Sequence, residues 1–300
     1  MFDFNELQSL DENKSEKIPV TKVVVELFRH SLKENSSDKS NPELLLTKKG
    51  RKLAVAKGNE LNPDLNTSVS AASDMDRTAE TALLVLLGDE NEISIDDSLF
   101  EMEGKVGEEL KVGKKMYRTD KLGRGISEAS VITGGIKAYK SGCFINWLVR
   151  ECDQKILELK DKKGISYLRQ AGNVAELLAR YQTIGNNFNR LANDSEKLEK
   201  YGDKLFRYLV SHQGVAESFV AKVLEIQDTL ATRDEFASSI GNGWRELEGI
   251  HIEIINDQSG QRMFLTYNDA EGHNHELLVK SDTLAQIIKE RKDLEDKIND

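Results

Sequence analysis

The feature that most constrains this chain is Thr21-Lys22-Val23-Val24-Val25-Glu26-Leu27-Phe28-Arg29-His30, a dense apolar run that stops on an arginine and a histidine. Runs of Val and Leu this short and continuous read as a strand buried on both faces, as in a parallel sheet covered by helices. Open sheets of that kind collect ligands just beyond the carboxyl ends of their strands. Arg29 and His30 therefore sit where chemistry is expected. A second apolar run, Leu205 to Ser211, also ends on a histidine, His212. Between the two, Ser73-Asp74-Met75-Asp76-Arg77 carries an arginine into the start of a helical pattern. A cation in the first turn is disfavoured by the helix dipole unless an anion lies near, so Arg77 points to a bound anion. Pairing with Asp74 or Asp76 is the plainer alternative.

These stretches together resemble the histidine phosphatase superfamily, the phosphoglycerate mutase-like proteins. The resemblance rests on Arg29-His30-Ser31, on Leu46-Thr47-Lys48-Lys49-Gly50, on Ser73, Arg77, Thr81 and Ala82, and on Ser211-His212-Gln213-Gly214-Val215. The four motifs stand in family order within 21–104 and 203–260. The resemblance implies an α/β fold, a three-layer α/β/α sandwich with a mostly parallel central sheet. It also implies a metal-independent phosphomonoesterase acting on a small phosphorylated substrate through a phosphohistidine on His30, with no cofactor. Arg29, Arg77 and His212 would bind the phosphate, and Lys33 would add a point charge. The family's general acid often lies in Leu-x-Glu, which here selects Leu99-Phe100-Glu101, with Glu103 second. Two alternatives stay open on the same fold: a phosphomutase, and a catalytically silent phosphate-binding or interaction protein. The chain departs from the family pattern at Ser31, where glycine is usual and a side chain would narrow the approach to the nucleophile. Lys33, Asn35 and Gln213 depart from the acid-phosphatase branch and favour the mutase and small-phosphatase branch.

These residue types suit phosphoryl transfer, which asks for positioning and for neutralisation of spread negative charge. A neutral imidazole can attack phosphorus, and forked guanidinium donors match phosphoryl oxygens.

Composition excludes some functions. A net charge of −10 over 300 residues argues against nucleic acid or an anionic membrane as a general partner. No run approaches the roughly 18 apolar residues of a membrane span, and the acidic start lacks a leader pattern, so a cytoplasmic protein is expected. Cys143 and Cys152 are the only cysteines, too few for a disulfide framework. The sequence sets no oligomeric state.

Along the chain, 1–20 reads as a loose arm, 21–104 and 201–300 as the phosphatase-like domain, and 105–200 as a helical insertion or cap. Helices are expected over Thr47–Leu61 and Met75–Leu87, with a Ser73 capping box opening the second. The Gly- and Lys-rich 105–142 reads as long loops, followed by an amphipathic helix from Cys143 to about Asp161. Two more helices are expected near Ser166–Tyr181 and Ile184–Lys200. Ile250–Ile255 and Met263–Tyr267 read as a hairpin, His273-x-His275 as a polar loop with no third metal ligand evident, and Ser281–Ile298 as a closing helix.

Overall fold

Val23, Val25 and Leu27 belong to one buried cluster and Phe28 to another, so the first apolar run is a strand with a core on each face. This strand, β1 (Thr21–Arg29), lies in a seven-stranded sheet. The other strands are β2 (Ser68–Ala72), β3 (Met116–Arg118), β4 (Lys204–Ser211), β5 (Gly249–Asp257), β6 (Gly260–Asn268) and β7 (Asn274–Val279), in the order β3-β2-β4-β1-β5-β6-β7. The computed structural model describes residues 19–35, 40–88, 115–123, 125 and 129–300. The expected arm up to residue 18, together with Glu101 and Glu103, lies outside the described residues.

The sheet is parallel in one half and antiparallel in the other. β3, β2, β4 and β1 run parallel, whereas β5 pairs antiparallel with β1 and is followed by β6 and β7 as an antiparallel meander. The hairpin expected around Asp257-Gln258-Ser259-Gly260 is β5–β6. The segment read as a polar loop supplies β7. There His275 stacks on Tyr267 with ring centroids 5.0 Å apart, and the side chains of His273 and His275 both contact Asp269. Among the described residues, no group of three or more His, Cys, Asp or Glu is arranged to hold a metal ion.

Helices α1 (Lys48–Leu61) and α2 (Asp76–Leu87) cover one face of the parallel half, burying Ala54, Val55, Ala79, Ala82, Leu83 and Leu86 against Tyr208 and Val210. Thr47 caps α1 by accepting from the Gly50 N–H at 3.0 Å, as its position predicts. Gly50 also lets α1 approach the chain that follows His30, because a Cβ there would run into the Leu32 carbonyl. Gly50→Ala is expected to lower unfolding free energy by about 1–3 kcal/mol in urea titration, since backbone and not a pliant side chain must yield.

Where it is described, the span expected to be loops and a cap is more regular and more central. β3 is one edge strand of the sheet, and α3 (Ala129–Lys140) is a helix whose Gly134 and Gly135 lie against the Trp147 ring. The expected helix after Cys143 is present as α4 (Phe144–Trp147), a π-helical turn (Leu148–Cys152) and α5 (Asp153–Leu159). The two helices expected next are one long α6 (Tyr167–Ala192) and a short α7 (Ser195–Tyr201). No breaker interrupts α6, and its Gly185 lies tight on the sheet: a Cβ would come 2.8 Å from Asn256 Nδ2 and 3.2 Å from Val23. With α8 (Val215–Gln227) and α10 (Thr283–Asn299), α6 covers the second face, beside α9 (Leu230–Ser239). No helix among the described residues is long and apolar enough to cross a membrane.

Candidate active site

Parallel pairing of β1 with β4 brings their carboxyl ends level, with Arg29 opposite Ser211. The residues that follow each strand are the two histidines. The His30 N–H donates to the Ser211 carbonyl at 2.9 Å, and the rings of His30 and His212 lie 5.4 Å apart, nearly edge to face. Both are buried.

The tautomer of His30 follows from its neighbour. Nδ1 lies 2.6 Å from the Ser31 carbonyl oxygen. A carbonyl only accepts, so Nδ1 carries the proton and Nε2 keeps its lone pair. Arg77 Nε donates to that Nε2 at 3.1 Å. The remaining Arg77 nitrogens face the Asn41 carbonyl and Met75 Sδ, each at 2.7 Å. Arg77 thus reaches His30 Nε2 from the first turn of α2, while Asp76 pairs with Arg118 at 2.8 Å.

Ser31 does not narrow the approach to His30. Its hydroxyl donates to the Gly50 carbonyl at 2.7 Å and its N–H to Thr81 Oγ1 at 3.2 Å, so the side chain is turned toward α1. Ser73 is likewise no helix cap; α2 begins at Asp76, with Met75 at the N-cap position. Ser73 Oγ lies 2.8 Å from His212 Nε2 and 2.8 Å from Thr78 Oγ1, and so orients the second histidine. The motif spacing contained Ser73, but its contact with His212 spans 139 positions and exists only in the folded sheet.

Arg29 behaves differently from Arg77. Nη1 donates to the Trp244 carbonyl at 3.2 Å and Nη2 pairs with Glu246 at 2.9 Å, while Nε is buried without a hydrogen-bond partner among the described residues. Lys33 pairs with Leu46 in an isolated bridge, and its Nζ donates to Asn41 Oδ1 at 3.3 Å.

Burial pulls the His30 pKa down from 6.5 to about 3; the Ser31 contact opposes this, and the charges of Arg77, Arg29 and Lys33 add to it. The ring is therefore a neutral imidazole at neutral pH. The unfolded chain takes up this proton near 6.5 and the folded chain only near 3, so stability is retained above 6.5 and lost as pH falls through that window. Urea titration at pH 7.5 and 5.0 should show the advantage of wild type over His30→Asn shrinking by on the order of 2 kcal/mol at the lower pH. An unchanged difference would contradict a buried neutral His30.

Residues 25–120 match the model of the histidine phosphatase superfamily, branch 1. Over that segment, about a third of the chain, the sequence is similar to that superfamily. The matched segment runs from β1 to β3 and holds His30 and Arg77; His212 lies beyond it and joins the site through β4. Among solved structures, the chain is similar to a mycobacterial glucosyl-3-phosphoglycerate phosphatase, with 15% identity, 82% of this chain and 97% of that one covered, and a TM-score of 0.44. It is also similar to a phosphoglycerate mutase from Bacillus anthracis, at 14% identity, 92% and 99% coverage and a TM-score of 0.41. A phosphoserine phosphatase variant from Entamoeba histolytica stands at 14% identity, 88% and 99% coverage and a TM-score of 0.39. No curated protein matches the chain.

Proposed function

We propose that this chain is a phosphomonoesterase of the histidine phosphatase superfamily that carries the phosphoryl group on His30 and needs no metal. The observation that supports this best is the state of His30: Nδ1–H held by the Ser31 carbonyl at 2.6 Å, and an unprotonated Nε2 facing Arg77. The Nε2 lone pair forms a bond to phosphorus as the ester P–O bond breaks, and the leaving oxygen takes a proton from the general acid. Glu101, with Glu103 second, is assigned that role by the family pattern. Water then attacks the phosphohistidine, gives its proton to the same carboxylate, and the N–P bond breaks to release inorganic phosphate.

Arg77 is placed to transfer its Nε donation from the resting imidazole to a phosphoryl oxygen, offsetting charge where it develops. His212 flanks the phosphoryl group from the second strand end. Arg29 contributes mainly by charge, since it already depresses the His30 pKa while its fork faces Trp244 and Glu246. Lys33 adds a weaker, less directional charge. The fit to a small phosphorylated substrate follows from this cluster of cations beside a nucleophile in an otherwise acidic chain.

The test is to mix the protein with a ³²P-labelled aryl phosphate in the presence of chelator and quench into alkali, where phosphohistidine survives and phosphoserine does not. Label that is retained by wild type and absent from His30→Ala supports the reading. Substrate turnover with no label on His30, or turnover abolished by chelator, counts against it.

A further inference from the structure

Glu217 is a buried carboxylate that the chemistry above does not use. It lies in the first turn of α8, five residues after His212, and is 2% exposed. One oxygen, Oε2, accepts from the Gly214 N–H at 2.9 Å; the other, Oε1, accepts from the Trp244 N–H at 2.9 Å. The first bond closes the start of its own helix. The second reaches a loop 27 residues away, which a capping role does not require.

That loop is the one that holds Arg29. Trp244 is clamped from both sides, its N–H by Glu217 and its carbonyl by Arg29 Nη1. Glu246 takes the other end of the guanidinium, and the Arg29 backbone bonds to Leu247 and Glu248 at 3.0 Å each. The Gln213 side chain adds a further bond to the Asn242 carbonyl. Gly243 has a φ of +95°, and a Cβ there would collide with Glu217 Oε1. The close approach of loop and carboxylate is thus built into the backbone. Burial pushes the Glu217 carboxyl up to about 7, against the opposing pull of its backbone N–H bonds and the Arg29 charge.

We propose that Glu217 is a positioning residue of the phosphate site, fixing the loop that aims Arg29 relative to the helix that carries His212. The inference rests on the reading of this site as a phosphate site. Acting through Trp244, Glu217 sets where the Arg29 charge stands beside His30. Its loss is expected to weaken phosphate binding even in molecules that are fully folded.

The experiment measures inorganic phosphate binding by calorimetry on folded protein, with thermal stability recorded in parallel. Glu217→Gln leaves one oxygen to accept but puts an amide donor against an N–H donor, and is expected to weaken phosphate binding by about tenfold. Asp153→Asn is the control: Asp153 is a half-buried carboxylate that accepts from Ser166 and the Leu168 N–H, on elements other than the loop that holds Arg29. It is expected to lose stability and keep wild-type phosphate affinity. In an Arg29→Ala background, Glu217→Gln should add little further loss, because both act through one group. Full additivity, or Glu217→Gln binding phosphate as wild type does, overturns the inference and leaves the phosphate site standing. Wild type that binds no phosphate, or binding unchanged in both His30→Ala and Arg77→Ala, overturns both. If Glu217→Gln does not fold, Gly243→Ala reads the same contact from the loop side, with the same expected loss and the same overturning result.

Discussion

Replacing His30 by alanine is expected to lower kcat for phosphate release by at least about 10⁴-fold, the scale seen when a covalent nucleophile is removed. Among the described residues, no neighbouring group is placed to substitute for it. His212 Nε2 is engaged by Ser73, and the guanidinium of Arg77 has no lone pair to offer. The loss should fall on kcat far more than on phosphate affinity, because Arg77 and Arg29 still neutralise the bound anion. The measurement is phosphate release from an aryl phosphate and a panel of phosphorylated metabolites with chelator present. Activity that survives the substitution would sink the phosphohistidine route. Transfer of label from wild type to a second substrate, in place of water, would reassign the chain from phosphatase to mutase.

Arg77→Ala carries the second large effect, a loss of about 10²–10³-fold in kcat/KM, as for removal of one donor aimed at developing charge. Arg77 is 3% exposed and its Nε stands 3.1 Å from His30 Nε2, so water cannot replace its directional donation cheaply. A second readout separates this role from simple packing. The Arg77 charge lowers the His30 pKa, though less than burial does, so its removal should move the acid limb of the activity profile to higher pH. Arg77→Lys should recover only part of the rate, since an ammonium lacks the planar fork. An alanine variant with full activity and an unmoved acid limb would remove Arg77 from the site.

Much of this site was legible before folding, because its parts are local signals. An apolar run ending on Arg29-His30, a second ending on Ser211-His212, and an arginine in a first helical turn are each visible within about ten residues. The start of α1 at Thr47 was legible for the same reason: it is decided by neighbours within one turn. Misreadings arose where local composition was ambiguous. Gly134 and Gly135 suggested loop, yet α3 tolerates them because the Trp147 ring lies against that face of the helix. Two helices were expected over Ser166–Tyr181 and Ile184–Lys200 where α6 runs unbroken to Ala192, and its Gly185 sits so close to Asn256 and Val23 that no side chain fits there. β7 lacks a strand-like apolar run; its ladder with β6 and the ring contact of His275 with Tyr267 hold it in the sheet.

The sequence by itself determined that Arg29, His30 and His212 stand at strand ends and Arg77 at a helix start, since hydrophobic periodicity encodes where the chain turns back to the surface. Only the tertiary structure decided what each of them faces. Arg77 meets His30 across 47 positions, Ser73 meets His212 across 139, and Arg29 turns to Trp244 across 215. Those meetings depend on strand order in the sheet, with β4 inserted between β2 and β1 and β5 added antiparallel beyond. Crossovers between strands far apart in the chain leave no periodic trace in it, so the pairing of His30 with a neutral tautomer, and of Glu217 with the loop that holds Arg29, is a property of the packed sheet.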